Sequence, residues 1–126
     1  MDQPGRRISV CGGTAYDLWL SRNIRHAALV RTSSLEESYR RFVDDGLDAL
    51  AGLRPRLVSD LNNLPGARIL DGRYVAIQQA IGTVRANEAA AVFLREFVNE
   101  AKLFGLVSRL IECHNVQGLS VARDPT

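Results

Sequence analysis

Three times before Pro65, a short apolar run is followed by a glycine turn, a capping residue or a proline, and then by residues at helical spacing. That alternation constrains the chain more than any other feature. Strands separated by single helices cannot meet as hairpins, so they pair in parallel through right-handed crossovers. The expected fold class is therefore α/β: a small, mostly parallel sheet with flanking helices.

The first strand is Arg7-Ile8-Ser9-Val10-Cys11, which alternates and stops at Gly12-Gly13. Thr14 with Asp17 three positions on resembles a capping box, opening a helix that carries Leu18, Trp19 and Leu20 to about Asn23. Ala27-Ala28-Leu29-Val30 reads as a second strand. Ser34 and Glu37 form a cleaner box for an amphipathic helix through Tyr39, Phe42 and Val43, with Gly46 as its stop. Leu47 to Leu50, with Ala51, reads as a third strand. Gly52 and Pro55 break it, and Pro55 suits the first turn of a short helix with Leu57, Val58 and Leu61. Ile69-Leu70 and Tyr74 to Ile81 read as extended segments around Asp71-Gly72.

Beyond residue 81 the character changes to helix without strand. Asn87 caps a run with Ala90, Phe93, Leu94, Phe97, Ala101 and Phe104 at helical spacing. Gly105 interrupts it, Leu106 to Cys113 resumes, and residues 115–126 form a tail. The best internal boundary lies between Ile81 and Asn87.

Composition excludes classes rather than naming one. With 46% hydrophobic residues among 126, the chain can build a core. Sixteen basic residues against 14 acidic give +2, too balanced for a dedicated nucleic-acid binder, so no nucleic-acid partner is expected. All the basic residues except Lys102 are arginines, and they are scattered. No apolar run is long enough to span a membrane, and no segment reads as a signal peptide. Cys11 and Cys113 read as separate thiols. Cys113-His114 with a distant His26 is a poor metal set, so neither a metal nor a cofactor is expected.

Gly12-Gly13-Thr14, between a strand and a helix, is the sharpest local feature. Backbone N–H groups there and the Thr14 hydroxyl could hold a carboxylate or phosphate. Equally, Gly-Gly is a tight turn and Thr14 an N-cap. The spacing matches neither dinucleotide nor P-loop fingerprints. No catalytic residue is expected: there is no GxSxG elbow, and His26 and His114 have no spaced nucleophile. Asp44-Asp45 reads as a solvent-facing helix end. Arg54 could point a charge into a cleft or be an ordinary loop arginine.

Taken in order, these segments resemble a known family. Val10-Cys-Gly-Gly-Thr-Ala-Tyr-Asp-Leu-Trp-Leu, His26-Ala-Ala-Leu-Val-Arg and Gly46-Leu-Asp-Ala-Leu-Ala-Gly-Leu-Arg-Pro are similar to the second lobe of bacterial solute-binding proteins of family 3. Those are the polar-amino-acid type periplasmic components of ABC importers. The likeness continues through Leu70-Asp-Gly-Arg-Tyr-Val-Ala-Ile-Gln-Gln-Ala-Ile-Gly and Phe97-Val-Asn-Glu-Ala-Lys-Leu-Phe-Gly, covering about residues 7–122.

The resemblance implies a periplasmic-binding-protein-like type II lobe over 7–81, with Tyr74 to Ile81 as a returning hinge strand. Residues 82–122 would be helices that normally pack on a first lobe. It implies a non-enzymatic module binding an amino-acid-like or carboxylate solute by clamp closure, an ABC permease as partner and a periplasmic location. Gly13 and Thr14 would touch the ligand carboxylate, and Ala15 and Tyr16 would line the pocket. The alternative is a regulatory or interaction domain of the same fold without a transport role.

Three departures qualify it. Ala15 stands where a Ser or Thr is frequent. Leu53, followed by Arg54, stands where the family commonly places an acid for the ligand's ammonium, and a leucine cannot pair with that cation. Family members are also roughly twice this length, so the chain reads as the C-terminal half, in a truncated or binding-impaired form. Without a first lobe, the stripe of Phe93, Leu94, Phe97, Ala101 and Phe104 should fold back on the chain or dock on a second copy, giving a homo-oligomer.

Overall fold

The computed structural model describes residues 1–123, so the last three residues of the expected tail lie outside the described residues. The chain divides into two compact units, Met1–Ile77 and Gln78–Thr126, each described by itself below.

The first unit is α/β. Its elements run β1 (Arg7–Cys11), α1 (Ala15–Asn23), β2 (Ala28–Thr32), α2 (Leu35–Asp44), β3 (Ala49–Leu50) and α3 (Arg54–Leu61). The three strands form one parallel sheet in the order β2-β1-β3. Arg7 pairs with Ala28 and Cys11 with Thr32 on one side, and Ile8 with Ala49 on the other.

Alternation along β1 sorts the two faces of the sheet. Ile8 and Val10 join Tyr16 and Leu20 of α1 and Ala51 in the buried core, with Trp19, Ile24, Val75 and Ile77 packed around it. Ser9 is turned the other way and is fully buried against Ser38 of α2. A polar core sits on that side. The Ser9 hydroxyl donates to the Ser38 carbonyl at 2.8 Å. The Thr32 and Ser38 hydroxyls lie 2.5 Å apart, and Thr32 donates to the Ser34 carbonyl at 3.0 Å. Each buried oxygen thus has a partner, which is the condition for burying it cheaply.

Both expected helix caps are present, with one difference each. Thr14 caps α1 and Ser34 caps α2 through the side-chain oxygen. The carboxylates, however, reach past the cap residue to the one before it. Asp17 accepts from the Gly13 amide at 3.0 Å, and Glu37 accepts from the amide and hydroxyl of Ser33.

The second strand, expected over Ala27–Val30, is found at Ala28–Thr32, and two further strands differ more from the sequence reading. β3 begins at Ala49 rather than Leu47, because Leu47 belongs to the end of α2. Its amide donates to the Phe42 carbonyl and that of Gly46 to Val43, with Gly46 at φ +57°, which is a Schellman closure. The expected returning strand, Tyr74 to Ile81, enters no ladder among the described residues. Its first part is held by side chains instead: Val75 and Ile77 lie on the core, and the Tyr74 ring sits 5.2 Å from that of Trp19. The periplasmic-binding-protein lobe is therefore matched only at the coarser level of a small parallel α/β sheet.

The amino edge of the sheet is fastened by two aspartates. Asp48 accepts from the Arg6 guanidinium at 2.6 Å and the Arg7 amide at 2.9 Å, tying β1 to the entry of β3. Asp2 accepts from the amides of Arg25, His26 and Ala27, tying the N-terminal segment to the entry of β2.

The second unit contains α4 (Glu88–Leu103) and α5 (Leu106–Cys113). Asn87 caps α4 by accepting from the Ala90 amide at 3.0 Å. Gly105, at φ +71°, separates the helices in the left-handed region where side chains are disfavoured. Phe93 and Phe97 stack at 6.4 Å, yet Phe93, Phe97 and Phe104 remain 64%, 47% and 67% exposed in the chain. Cys11 is buried and Cys113 exposed, and both are free thiols. Among the described residues no helix is long and apolar enough to cross a membrane.

Candidate functional site

In a parallel sheet all strands end on the same edge, so the loops after β1 and β3 share it. The order β2-β1-β3 adds a further property. The chain leaves β1 to one side and returns to the other, which makes a topological switch point beside β1. Open α/β sheets bind ligands in the crevice outside the carboxyl ends at such a point. Gly13, Thr14, Ala15 and Tyr16 follow β1 there, and Leu53 and Arg54 follow β3.

Glycine is favoured at both positions of the first loop. A Cβ on Gly12 would meet the Thr32 carbonyl oxygen at 3.3 Å, and Gly13 holds φ at +75°. The loop is nonetheless not an empty anion cradle. Thr14 donates its hydroxyl to the Cys11 carbonyl at 2.8 Å and accepts from the Asp17 amide at 3.2 Å. The Gly13 amide is taken by Asp17. The two groups expected to grip a ligand carboxylate are thus engaged within the loop. What remains is the first-turn pair of amides on Ala15 and Tyr16, which form no hydrogen bond among the described residues.

Asp17 is the organising residue. Its side chain is 7% exposed, and besides Gly13 it accepts from the Arg31 guanidinium at 2.9 Å. Arg31 continues to the Ser21 hydroxyl at 2.6 Å. The carboxylate therefore enters the positive end of α1 already paired, and its charge is partly offset by the arginine.

Tyr16 is the exception in this well-satisfied surrounding. It is 4% exposed, and its phenolic oxygen, fully buried, has no hydrogen-bond partner among the described residues. Burial pushes its pKa up, while the nearby Thr14 hydroxyl pulls the other way without meeting it in bonding geometry. Tyr74 is pushed up to about 12, first by burial and then by the closeness of Tyr16. A buried hydroxyl donor without an acceptor is costly and rare enough to mark a place where something polar is accommodated.

On the β3 side, Leu53 is the N-cap position of α3, makes no side-chain cap and is exposed. The Arg54 guanidinium donates to the Gly72 carbonyl at 2.6 Å, so it ties down the 71–73 turn rather than standing free in a cleft. An open cavity of about 410 Å³ lies in the second unit, lined by Asn99, Lys102, Leu103, Val121, Ala122 and Arg123. It contains none of the expected site residues. Among the described residues no three His, Cys, Asp or Glu side chains gather as a metal set.

Sequence reasoning missed the part played by Asp17 beyond capping, by Arg31 and by the orphan Tyr16 hydroxyl. Asp17 had a signal, because its place in the box after Gly13-Thr14 already aims it at the turn. Arg31 and the Tyr16 oxygen had none, since each depends on which side chains the crossover brings together. The chain matches no protein-family model, no curated protein and no solved structure, so the functional reading rests on these residues.

Proposed function

We propose that this chain is a ligand-binding module that takes a small carboxylate-containing solute at the carboxyl edge of its sheet. In this reading it corresponds to one lobe of a clamp, as in the family 3 solute-binding proteins it resembles, with an ABC permease as partner and a periplasmic location. The observation that carries the proposal is the buried, unpartnered Tyr16 hydroxyl on the first turn of α1, at the switch point of a parallel sheet. A ligand oxyanion accepts from the Ala15 and Tyr16 amides and from that hydroxyl, with Gly13 and Thr14 shaping the turn. Because the hydroxyl is covered, what covers it must shift for the ligand to reach it.

Leu53 offers nothing to an ammonium group, and Arg54 is engaged with Gly72. The ligand is therefore a carboxylate without an α-amine. A thermal-shift screen of simple carboxylates beside free amino acids tests this. A ligand at a hundred times its Kd adds about 2.7 kcal/mol to native stability. Carboxylates should raise the midpoint, free amino acids should not, and Tyr16→Phe should lose the rise. A flat screen across both sets overturns the proposal.

A further inference from the structure

Three successive backbone amides, those of Arg25, His26 and Ala27, converge on the Asp2 carboxylate. Arg25 donates to Oδ2 at 2.9 Å, and His26 and Ala27 donate to Oδ1 at 2.7 and 2.8 Å. These residues lie between the end of α1 and the start of β2, on the amino edge of the sheet, opposite the candidate site. Both carboxylate oxygens are engaged by main chain, an arrangement that favours an oxyanion over a neutral side chain. The grip is strong enough to hold the Asp2 carboxyl at about 2, chiefly through the Ala27 amide and then those of Arg25 and His26.

The segment that delivers this carboxylate is slight. Met1 and residues 3–5 are exposed, Gly5 turns at φ +82°, and the segment's other backbone bonds before Arg6 are within itself. Asp2 is therefore a tethered ligand in a preformed receptor, whose amides stay in place because Ala28, the next residue, is bonded to the Arg6 carbonyl and paired with Arg7.

We propose that the Arg25–Ala27 amide cradle is a carboxylate-binding site that the chain's own Asp2 occupies as a displaceable plug. Withdrawal of the N-terminal segment opens it to an external carboxylate. This site is separate from the one under the proposed function, and neither depends on the other.

The test is an NMR titration of the full chain with acetate, following the Arg25, His26 and Ala27 amides. In Asp2→Ala those three amides should shift saturably. In the parent they should need more acetate, by one plus the ratio of the tethered group's effective concentration, roughly millimolar, to the acetate Kd of the variant. A synthetic peptide of residues 1–5 should produce the same shifts in the variant, and the same peptide with alanine at position 2 should not. Absence of a localised, saturable shift in Asp2→Ala overturns the site, and equal acetate affinity in variant and parent overturns the plug. Where Asp2→Ala loses the β1–β2 signals, Asp2→Asn, which keeps an acceptor without the charge, is titrated under the same criteria.

Discussion

Replacing Tyr16 by phenylalanine removes one oxygen and nothing else. In most proteins that deletion from a buried tyrosine destabilises, because it orphans whatever the hydroxyl had bonded. Here the hydroxyl has no partner to orphan and the ring is already in the core with Ile8, Val10 and Leu20. An unsatisfied buried polar group costs roughly 1–3 kcal/mol. Tyr16→Phe should therefore stabilise the first unit, by about 1 kcal/mol at the lower end of that range. For a unit of this size such a gain raises the melting midpoint by about 4–8 °C. Urea unfolding followed by circular dichroism gives the free energy, and calorimetry the midpoint. An unchanged or lowered stability would mean that the hydroxyl is satisfied in solution, and the reasoning that marks it as a ligand contact would fall with it. The same variant should be more stable and less able to respond to ligand, a pairing expected where a site stores an unmet bond.

Other consequences follow from the same packing. Ser38→Val should destabilise by about 1–3 kcal/mol in chemical denaturation, since it overfills a tight contact and strips Thr32 of a partner; a neutral result would deny the polar core its role. Gly13→Ala forces a side chain to φ +75° and should cost about 1–2 kcal/mol, read in the same melts, with no loss indicating that the turn relaxes freely. Asp2, Glu37 and Asp48 all have pKa values held below the ordinary carboxyl range, Asp2 at about 2. A depressed carboxyl stabilises the fold above its unfolded pKa and ceases to as pH falls through the folded one. Stability should thus decline from about pH 4 toward pH 2, and Asp2→Asn with Asp48→Asn should flatten that decline in pH-dependent melts. Finally, the exposed faces of Phe93, Phe97 and Phe104 predict concentration-dependent pairing with a second copy by light scattering, and a strictly monomeric chain at high concentration would refute it.

The α/β alternation was legible because it is written in periodicity: β1, both side-chain-capped helices of the first unit and the Gly105 break all stand where spacing and caps place them. What spacing cannot encode is which group satisfies which. Ser9 occupies an inward strand position between Ile8 and Val10, and only the crossover to α2 reveals that its face is a hydroxyl cluster rather than an apolar one. Tyr74 to Ile81 carries strand-forming residues, but its first part is claimed by the core and by Trp19 before any ladder can use it. At the site, the glycine turn and Thr14 were visible, while their engagement by Asp17 and Cys11 was hidden in side-chain direction.

The central place of β1 also sets an order of events in synthesis. Its residues leave the ribosome before those of β2 and β3, so Arg7 has no ladder partner until Ala28 exists, and Ile8 has none on its other side until Ala49 follows. This largely buried strand must therefore wait, unpaired, through the first crossover, and one of its edges stays open through the second. Parallel pairing of this kind closes slowly, and an apolar strand kept waiting is a site for misassociation. The serine set between Ile8 and Val10 breaks that strand's apolar run during the interval, so the residue that builds the polar core also tempers the nascent chain.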